Sequence, residues 1–352
     1  LDMNKMKKQI ILCGFGNVGK AFAHLVQERR EGIRKKYGLD LELVAVVDIG
    51  GAVISEKGAL PIDKLLIHVE NGGAVETLNT YGRPGISGVE TISNCPAHVL
   101  VETTPTNLKD AEPGKGHMAA ALKNGLDVVS ANKGPLVLYY RELLDLARKK
   151  GCRVFMSAAT AAALPTLDVG LLCLAGSDVL SIEGILNGTT NYILTRMHLE
   201  KCAYETALLA AQEMGIAETD PTLDVEGLDT RNKLVLITNQ VFDREFSLSD
   251  VAVTGITGVT LSDIEAAESD GKVLKLIGTT EFVNDKLKLS VAPRALDPDH
   301  PLAVINFSEK GISYLTDTMG RVTVTGGKSS PVGAGAALLK DLIHSSLITG
   351  VQ

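Results

Sequence analysis

Ile10-Ile11-Leu12-Cys13-Gly14-Phe15-Gly16-Asn17-Val18-Gly19 decides the fold of this chain. Four consecutive apolar residues before a glycine-spaced loop read as a strand buried on both faces, and the amphipathic stretch after the loop, through about Arg30, reads as a helix. Glycines at positions 14, 16 and 19 permit a tight turn and let backbone N–H groups approach a pyrophosphate at the helix start. Gly14, Phe15, Gly16, Asn17, Val18 and Gly19 are therefore candidate cofactor-binding residues.

Working outward, strand-like and helix-like patterns alternate to about Val154, the signature of a parallel sheet flanked by helices. Residues 41–47 read as a second strand ending at Asp48, and residues 99–102 and 127–130 as two more. A helix between these last two ends at Asn124-Gly125, a glycine C-cap signal. In open parallel sheets ligands bind outside the C-terminal strand ends, so the glycine loop, Asp48, residues 103–106 and Asn132-Lys133 should converge on one crevice. Asp48 is placed to accept from adenosine ribose hydroxyls, although residues 31–39 lengthen the crossover before it. A carboxylate there favours NAD, while Lys57 is the candidate for a 2′-phosphate, so the sequence leaves NAD and NADP both open.

Past about Ala158 the texture becomes mixed, with strands expected over 181–186 and 287–291, helices near Tyr192, Tyr204 and Lys233, and a final helix over 335–347. The chain has 352 residues, enough for two or three domains with one interrupted in sequence. With 45% apolar and 22% charged residues the composition is that of a globular protein with its own core. A formal charge of -7 without a basic stripe argues against nucleic acid and for small-molecule ligands. Five scattered cysteines lack metal-type or framework spacing and read as reduced thiols, hence a cytoplasmic setting and no zinc site. Residues 1–8 show no signal-peptide pattern, and the apolar stretch 154–176 is broken by Pro165 and Asp168, so burial fits it better than a membrane span. None of the seven histidines stands in a catalytic pattern, and His300 reads as a turn residue.

The most informative stretch is Gly215-Ile-Ala-Glu218-Thr-Asp220-Pro-Thr-Leu-Asp224-Val-Glu-Gly-Leu-Asp229-Thr-Arg-Asn-Lys233. If a helix begins near Leu228, Asp229 and Lys233 are i and i+4 and share one face. Taken alone that spacing also describes an exposed ion pair. With Asn187-Gly-Thr-Thr-Asn-Tyr-Ile-Leu, Ala131-Asn132-Lys133 and Val332-Gly-Ala-Gly335, however, the chain resembles homoserine dehydrogenases over nearly its whole length. The resemblance implies interconversion of L-homoserine and L-aspartate 4-semialdehyde with NAD or NADP, in threonine, methionine and isoleucine biosynthesis. It implies catalytic roles for Lys233, Lys133 and Asp229, substrate contacts at Glu218, Asp224, Asp229, Gly188 and Thr189, and cofactor contacts at Thr103, Thr104, Lys133 and Gly335. As strand-end hydroxyls, Thr103 and Thr104 have as their lesser alternative the satisfying of local backbone. A lysine base needs its pKa lowered by desolvation and a like charge, which Lys133 beside Lys233 would supply.

The resemblance also implies a monovalent cation such as sodium on the backbone carbonyls of Ser157, Thr160, Ala162 and Leu164, with Ser157 standing where many relatives have glutamate. The C-terminal glycine motif departs as well, with Gly326-Gly-Lys-Ser-Ser-Pro before Val332. The expected architecture is α/β, a Rossmann-type parallel-sheet domain with an inserted α/β catalytic and dimerisation domain. Residues 1–155 with 330–352 would bind dinucleotide, 156–170 with 293–329 would form a homodimer interface, and 171–292 would bind substrate. No regulatory domain is expected. Two rivals remain at this point, another amino-acid dehydrogenase sharing the cofactor domain and a nicotinamide-sensing protein without turnover.

Overall fold

The structure, a computed structural model, describes residues 6–327 and 329–347. It divides into two compact units, one formed by the described residues up to Ala159 and from Ser330 onward, the other by Thr160–Ser329. Lys328 of the altered glycine motif and residues 1–5 lie outside the described residues.

The first unit is built on a seven-stranded sheet. Its strands are β1 (Met6–Cys13), β2 (Leu39–Asp48), β3 (Gly51–Ile54), β4 (Gly82–Pro84), β5 (Val99–Glu102), β6 (Asp127–Ser130) and β7 (Val154–Phe155), in the order β4-β3-β2-β1-β5-β6-β7. β2, β1, β5, β6 and β7 run parallel, and β3 and β4 are added antiparallel at the β2 edge. Residues 10–13 and 99–101 are completely buried, as the continuous apolar runs of two-sided parallel strands require. The helix after the glycine loop, Asn17–Tyr37, extends a full two turns beyond Arg30. It absorbs most of the stretch read as a lengthened crossover and stops at Gly38, whose φ of 69° only glycine adopts without strain. Arg34, Lys35 and Lys36 in its last turn complement the helix dipole.

The Pro331–Leu347 helix belongs to this unit and lies against Asn17–Tyr37. Gly335 is the close-approach point, since a Cβ there would sit 3.0 Å from the Phe22 backbone nitrogen. Just past its middle the buried Asp341 accepts from both the backbone and the hydroxyl of Ser157, at 3.0 and 2.8 Å, while Lys340 reaches the same carboxylate. Burial pushes the Asp341 carboxyl up despite these partners. Ser157 is thus a tie between β7 and the final helix.

The second unit carries a six-stranded mixed sheet of β8 (Val179–Ile185), β9 (Val251–Val253), β10 (Val273–Val283), β11 (Lys286–Leu296), β12 (Gly311–Thr316) and β13 (Arg321–Thr325), ordered β13-β12-β8-β10-β11-β9. β8 pairs with β12 and β10 on its two sides, and the boundary expected at 292/293 falls inside β11. The stretches assigned from sequence to catalysis and dimerisation therefore share one hydrogen-bonded sheet. Helices Gly188–Glu200, Leu228–Phe242 and Leu261–Ser269 pack against β10. Among the described residues no helix is long and apolar enough to cross a membrane.

Candidate active site

In the first unit the glycine loop is shaped by backbone contact rather than by side chains. Gly14 has φ of 90°, and a Cβ there would lie 2.7 Å from the Thr103 and Thr104 backbone. A Cβ at Gly19 would lie 2.1 Å from the Gly14 carbonyl oxygen, so the helix meets the loop only because both residues lack side chains. Gly16 instead faces open space, with nothing within 4 Å of the place a Cβ would occupy. No acidic residue occupies the first turn of the Asn17–Tyr37 helix, which leaves its N-terminus favourable to an anion.

A cavity of about 610 Å³ opens at the C-terminal ends of β1, β2 and β5, lined by Gly14, Asp48, Ile49, Thr104, Thr106 and His117 among others. Its size suits a bound organic ligand. The donor set fits a dinucleotide: room at Gly16 for phosphate, and a carboxylate at Asp48 one strand over for ribose hydroxyls. Lys57 is not brought to this end. β3 turns back antiparallel to β2, Ser55 donates to the Val44 carbonyl, and Lys57 follows at that level, about 13 Å down the strand from Asp48 at the usual rise per residue.

Thr103 directs its hydroxyl into the loop, donating to the Cys13 and Gly14 carbonyls at 3.0 and 2.8 Å. Its hydroxyl therefore fixes local backbone. Thr104 donates through both its backbone N–H, at 2.7 Å, and its hydroxyl to buried Glu102, whose other oxygen pairs with His117 Nδ1 at 2.9 Å. Asn132 Nδ2 donates to Thr104 Oγ1 at 3.0 Å while its Oδ1 accepts from the Gly134 N–H, capping the Lys133–Leu138 helix. A chain of hydrogen bonds thus runs from His117 to the turn that carries Lys133, which is partly buried and engaged in contacts of its own. Sequence spacing gave no sign of this chain. Cys13, Glu102 and His117 bring potential ligand atoms within 4.8 Å of one another, a cluster that reading the sequence for metal spacing did not find. Hydrogen bonds to Thr104 and between the two partners already satisfy Glu102 and His117 Nδ1.

In the second unit Asn187, the cap of the Gly188–Glu200 helix, is the hub. Its Oδ1 accepts from the Thr190 N–H, and its amide donates to Asp224 at 2.6 Å and to Asp229 at 3.0 Å. Asp229 sits in the first turn of Leu228–Phe242, where the helix dipole favours its charged form, and lies 2.5 Å from Lys233 one turn on. Lys233 Nζ also donates to the Leu186 carbonyl at 2.8 Å. Both partners of this pair are only about one seventh exposed, so the geometry is not that of a solvated surface ion pair. Among the described residues no other acceptor takes the third N–H of the ammonium.

Gly188 must lack a side chain because the Ser308 carbonyl oxygen would lie 2.7 Å from its Cβ. Thr189 donates to the Ile216 carbonyl at 3.1 Å and so anchors the segment leading to Glu218, whose side chain is exposed. Asn187 was not singled out from sequence. The signal available was a capping residue directly after an apolar strand, but its carboxylate partners stand 37 and 42 residues further on.

At the expected cation turn the Leu164 carbonyl accepts from Thr166 N–H, and the buried ammonium of Lys310 donates to the Ala161 carbonyl at 2.8 Å. One carbonyl of that turn is thus already taken by a side chain of the protein itself.

A glycine-built dinucleotide loop with an acidic strand end, and a separate carboxylate–lysine cluster, define a nicotinamide-dependent oxidoreductase. Comparison with known proteins makes this specific. The sequence profile described as "Homoserine dehydrogenase, NAD binding domain" matches residues 14–157, and the profile "Homoserine dehydrogenase" matches residues 165–343. A homoserine dehydrogenase from Methanocaldococcus jannaschii is 39% identical over 95% of this chain and 97% of its own length. An NAD(+)-dependent homoserine dehydrogenase from Pseudomonas canavaninivorans is 36% identical over 96% of this chain and 95% of its own. A crystal structure of the S. aureus homoserine dehydrogenase, 28% identical, superposes with a TM-score of 0.76 over 97% of this chain and 76% of that one. The chain belongs to the homoserine dehydrogenase family, and its activity is the NAD(P)-dependent oxidoreduction of homoserine.

Proposed function

We propose that the Asp229–Lys233 cluster is where the substrate's reacting oxygen and amino group are held, and that NAD is the preferred cofactor. The observation carrying the first reading is the hub: one amide, that of Asn187, holds Asp224 and Asp229 while Lys233 is fixed between Asp229 and Leu186. When bound, the nicotinamide accepts the hydride in alcohol oxidation and supplies it in aldehyde reduction. Lys233 Nζ moves the accompanying proton. As an ammonium, its third N–H donates to the aldehyde oxygen and polarises it; as an amine, Nζ takes the proton of the homoserine hydroxyl. Asp224, Asp229 and the exposed Glu218 offer negative charge to the substrate ammonium, and Thr189 holds the segment that carries Glu218. Gly188 meets the substrate through its backbone alone, since the Ser308 carbonyl takes the space of its missing side chain. Lys133, capped into place through Asn132, is the second cation of the reaction, beside the nicotinamide.

The NAD reading rests on Asp48 at the cavity and on the distance of Lys57 from that end. It agrees with the NAD(+)-dependent name of the Pseudomonas relative. A homodimer and a cytoplasmic location belong to the same reading. Support for the dimer is β13, an edge strand hydrogen-bonded on one side only, within the stretch the family resemblance assigns to the interface. The sodium-class ion expected on the Ser157, Thr160, Ala162 and Leu164 carbonyls is not part of it, because Lys310 Nζ already donates to the neighbouring Ala161 carbonyl. The test is L-homoserine oxidation with each cofactor. The parent should show higher kcat/KM with NAD, and Asp48→Ala should weaken NAD about tenfold while leaving NADP little changed, the worth of a charged hydrogen bond. Equal losses would remove Asp48 from the ribose.

A further inference from the structure

Lys275, on β10, is completely buried, and among the described residues none of its hydrogen-bond partners is a carboxylate. Its Nζ donates to the Ile305 carbonyl at 2.5 Å and to the side-chain oxygens of Asn191 and Asn306 at 3.1 Å each, and the Thr195 hydroxyl oxygen lies at 3.4 Å. A buried charge normally carries a counter-ion, because neutral surroundings alone leave much of its lost hydration unreplaced. Here four uncharged oxygens surround one positive charge, the donor set that hosts a dehydrated monovalent cation. Burial lowers the pKa of this ammonium to about 8, and it is therefore largely charged at neutral pH.

The four oxygens come from two pieces of chain. Asn191 and Thr195 lie on the Gly188–Glu200 helix; Ile305 and Asn306 lie on the loop of residues 304–310. The same loop is stitched to the same helix elsewhere. Asn191 Nδ2 donates to the Ile305 and Glu309 carbonyls at 3.1 Å, and the Phe307 N–H donates to Thr195 at 3.1 Å. Phe307 holds a φ of 53°, a conformation unfavourable to an aromatic residue that persists only where surrounding contacts enforce it. One residue on, the Ser308 carbonyl fills the space at Gly188, directly beside Asn187. The helix start that organises Asp224 and Asp229 is thus clamped from one side by this loop.

We propose that Lys275 is a positioning residue for homoserine turnover, its ammonium acting as a tethered monovalent cation that fastens residues 305–309 to the helix bearing Asn187. The proposal rests on the reading of the Asn187–Asp229–Lys233 cluster as the substrate site. Removing the tether should loosen the clamp, raise KM for homoserine and leave the dinucleotide loop of the other unit untouched. A merely space-filling side chain would not make the enzyme depend on a dissolved cation.

The experiment compares the full-length parent, Lys275→Ala and Lys275→Met in buffer whose only monovalent cation is tetramethylammonium, too large for the cage, then with ammonium, methylammonium or ethylammonium chloride added at constant ionic strength. Lys275→Ala should raise homoserine KM about tenfold or more, the effect of losing charged hydrogen bonds, with KM for NAD nearly parental. The small ammonium ions should restore most of that loss and raise the melting temperature of Lys275→Ala, with no such effect on the parent. Lys275→Met, which refills the volume without charge, should show the same loss and no restoration. Parental homoserine KM in Lys275→Met overturns the proposal, and this variant decides the matter if Lys275→Ala does not fold. Absence of any ammonium effect on both KM and melting in Lys275→Ala also overturns it. An ammonium-dependent melting shift with parental KM would confirm the cage but overturn the link to substrate. Failure of the substrate-site reading appears separately, as parental kinetics in Lys233→Ala.

Discussion

The dinucleotide loop of the first unit and the carboxylate–lysine cluster of the second are built by opposite means. The loop is made by leaving side chains out. A Cβ on Gly14 or Gly19 would stand 2.7 or 2.1 Å from neighbouring backbone, and the three glycines fall within six residues of one another. The cluster is made by side chains gathered from positions 187 to 233, held by one asparagine and one helical turn. A site dictated by backbone contact tolerates almost no substitution and is written in local spacing. A site dictated by side-chain partners is written in pairs that are distant along the chain, and each member read alone resembles a surface charge.

That contrast predicts different failures for the two regions. The largest effect belongs to Lys233→Ala, where kcat should fall by roughly two to four orders of magnitude, the range of general acid–base catalysis, with the cofactor dissociation constant close to parental. A kcat within about threefold of the parent would return Lys233 to the status of a simple ion-pair partner. Next comes Gly19→Ala. Its Cβ would press on the Gly14 carbonyl at 2.1 Å, so the loop backbone must move. The expected cost is about 1–3 kcal/mol of stability with markedly weaker dinucleotide binding, read by melting and by titration with NAD. Unchanged cofactor affinity would mean that the loop does not bind the pyrophosphate.

How much of this was legible follows the same division. The glycine loop, β1, β2, β5, β6 and the strand-end position of Asp48 could be read directly, because continuous apolar runs and glycine spacing act over a few residues. The helix end at Tyr37 could not, since residues 31–37 are polar on most faces and only Gly38 marks the stop. Lys57 was placed by its nearness in sequence to Asp48, whereas the antiparallel return of β3 carries it the other way. Thr103 looked like a ligand contact, and its hydroxyl is spent on two loop carbonyls. In the second unit, Asp229 and Lys233 were visible through i,i+4 spacing and family likeness, but Asn187 showed only as the first residue of a family motif and not as the hub, because nothing local reports what its amide will meet.

The smallest effect concerns the far side of the second sheet. Glu183 on β8 is met by Arg294 and Arg321 through hydrogen bonds at 2.8 and 2.9 Å and by His300 at 3.1 Å. Burial raises its carboxyl, but the hydrogen bonds from His300 and Arg321 and the charge of Arg294 outweigh it, and the net shift is downward. A carboxylate depressed in the folded state contributes stability above its unfolded value, near 4.3, and loses it as pH falls through the folded one. The melting advantage of the parent over Glu183→Gln should therefore be present at neutral pH and shrink below about pH 4. An advantage that stays constant across this range would mean that the cluster is held by packing rather than by charge.

The central claim is that Asn187 organises the chemistry of its own unit. Its most direct test is Asn187→Ala, with homoserine kcat/KM and NAD affinity measured on the same sample. The account predicts a loss of about 10–100-fold in kcat/KM, as expected when two charge-assisted hydrogen bonds disappear, with NAD affinity unchanged. Parental kcat/KM, or equal losses in turnover and NAD affinity, would contradict it.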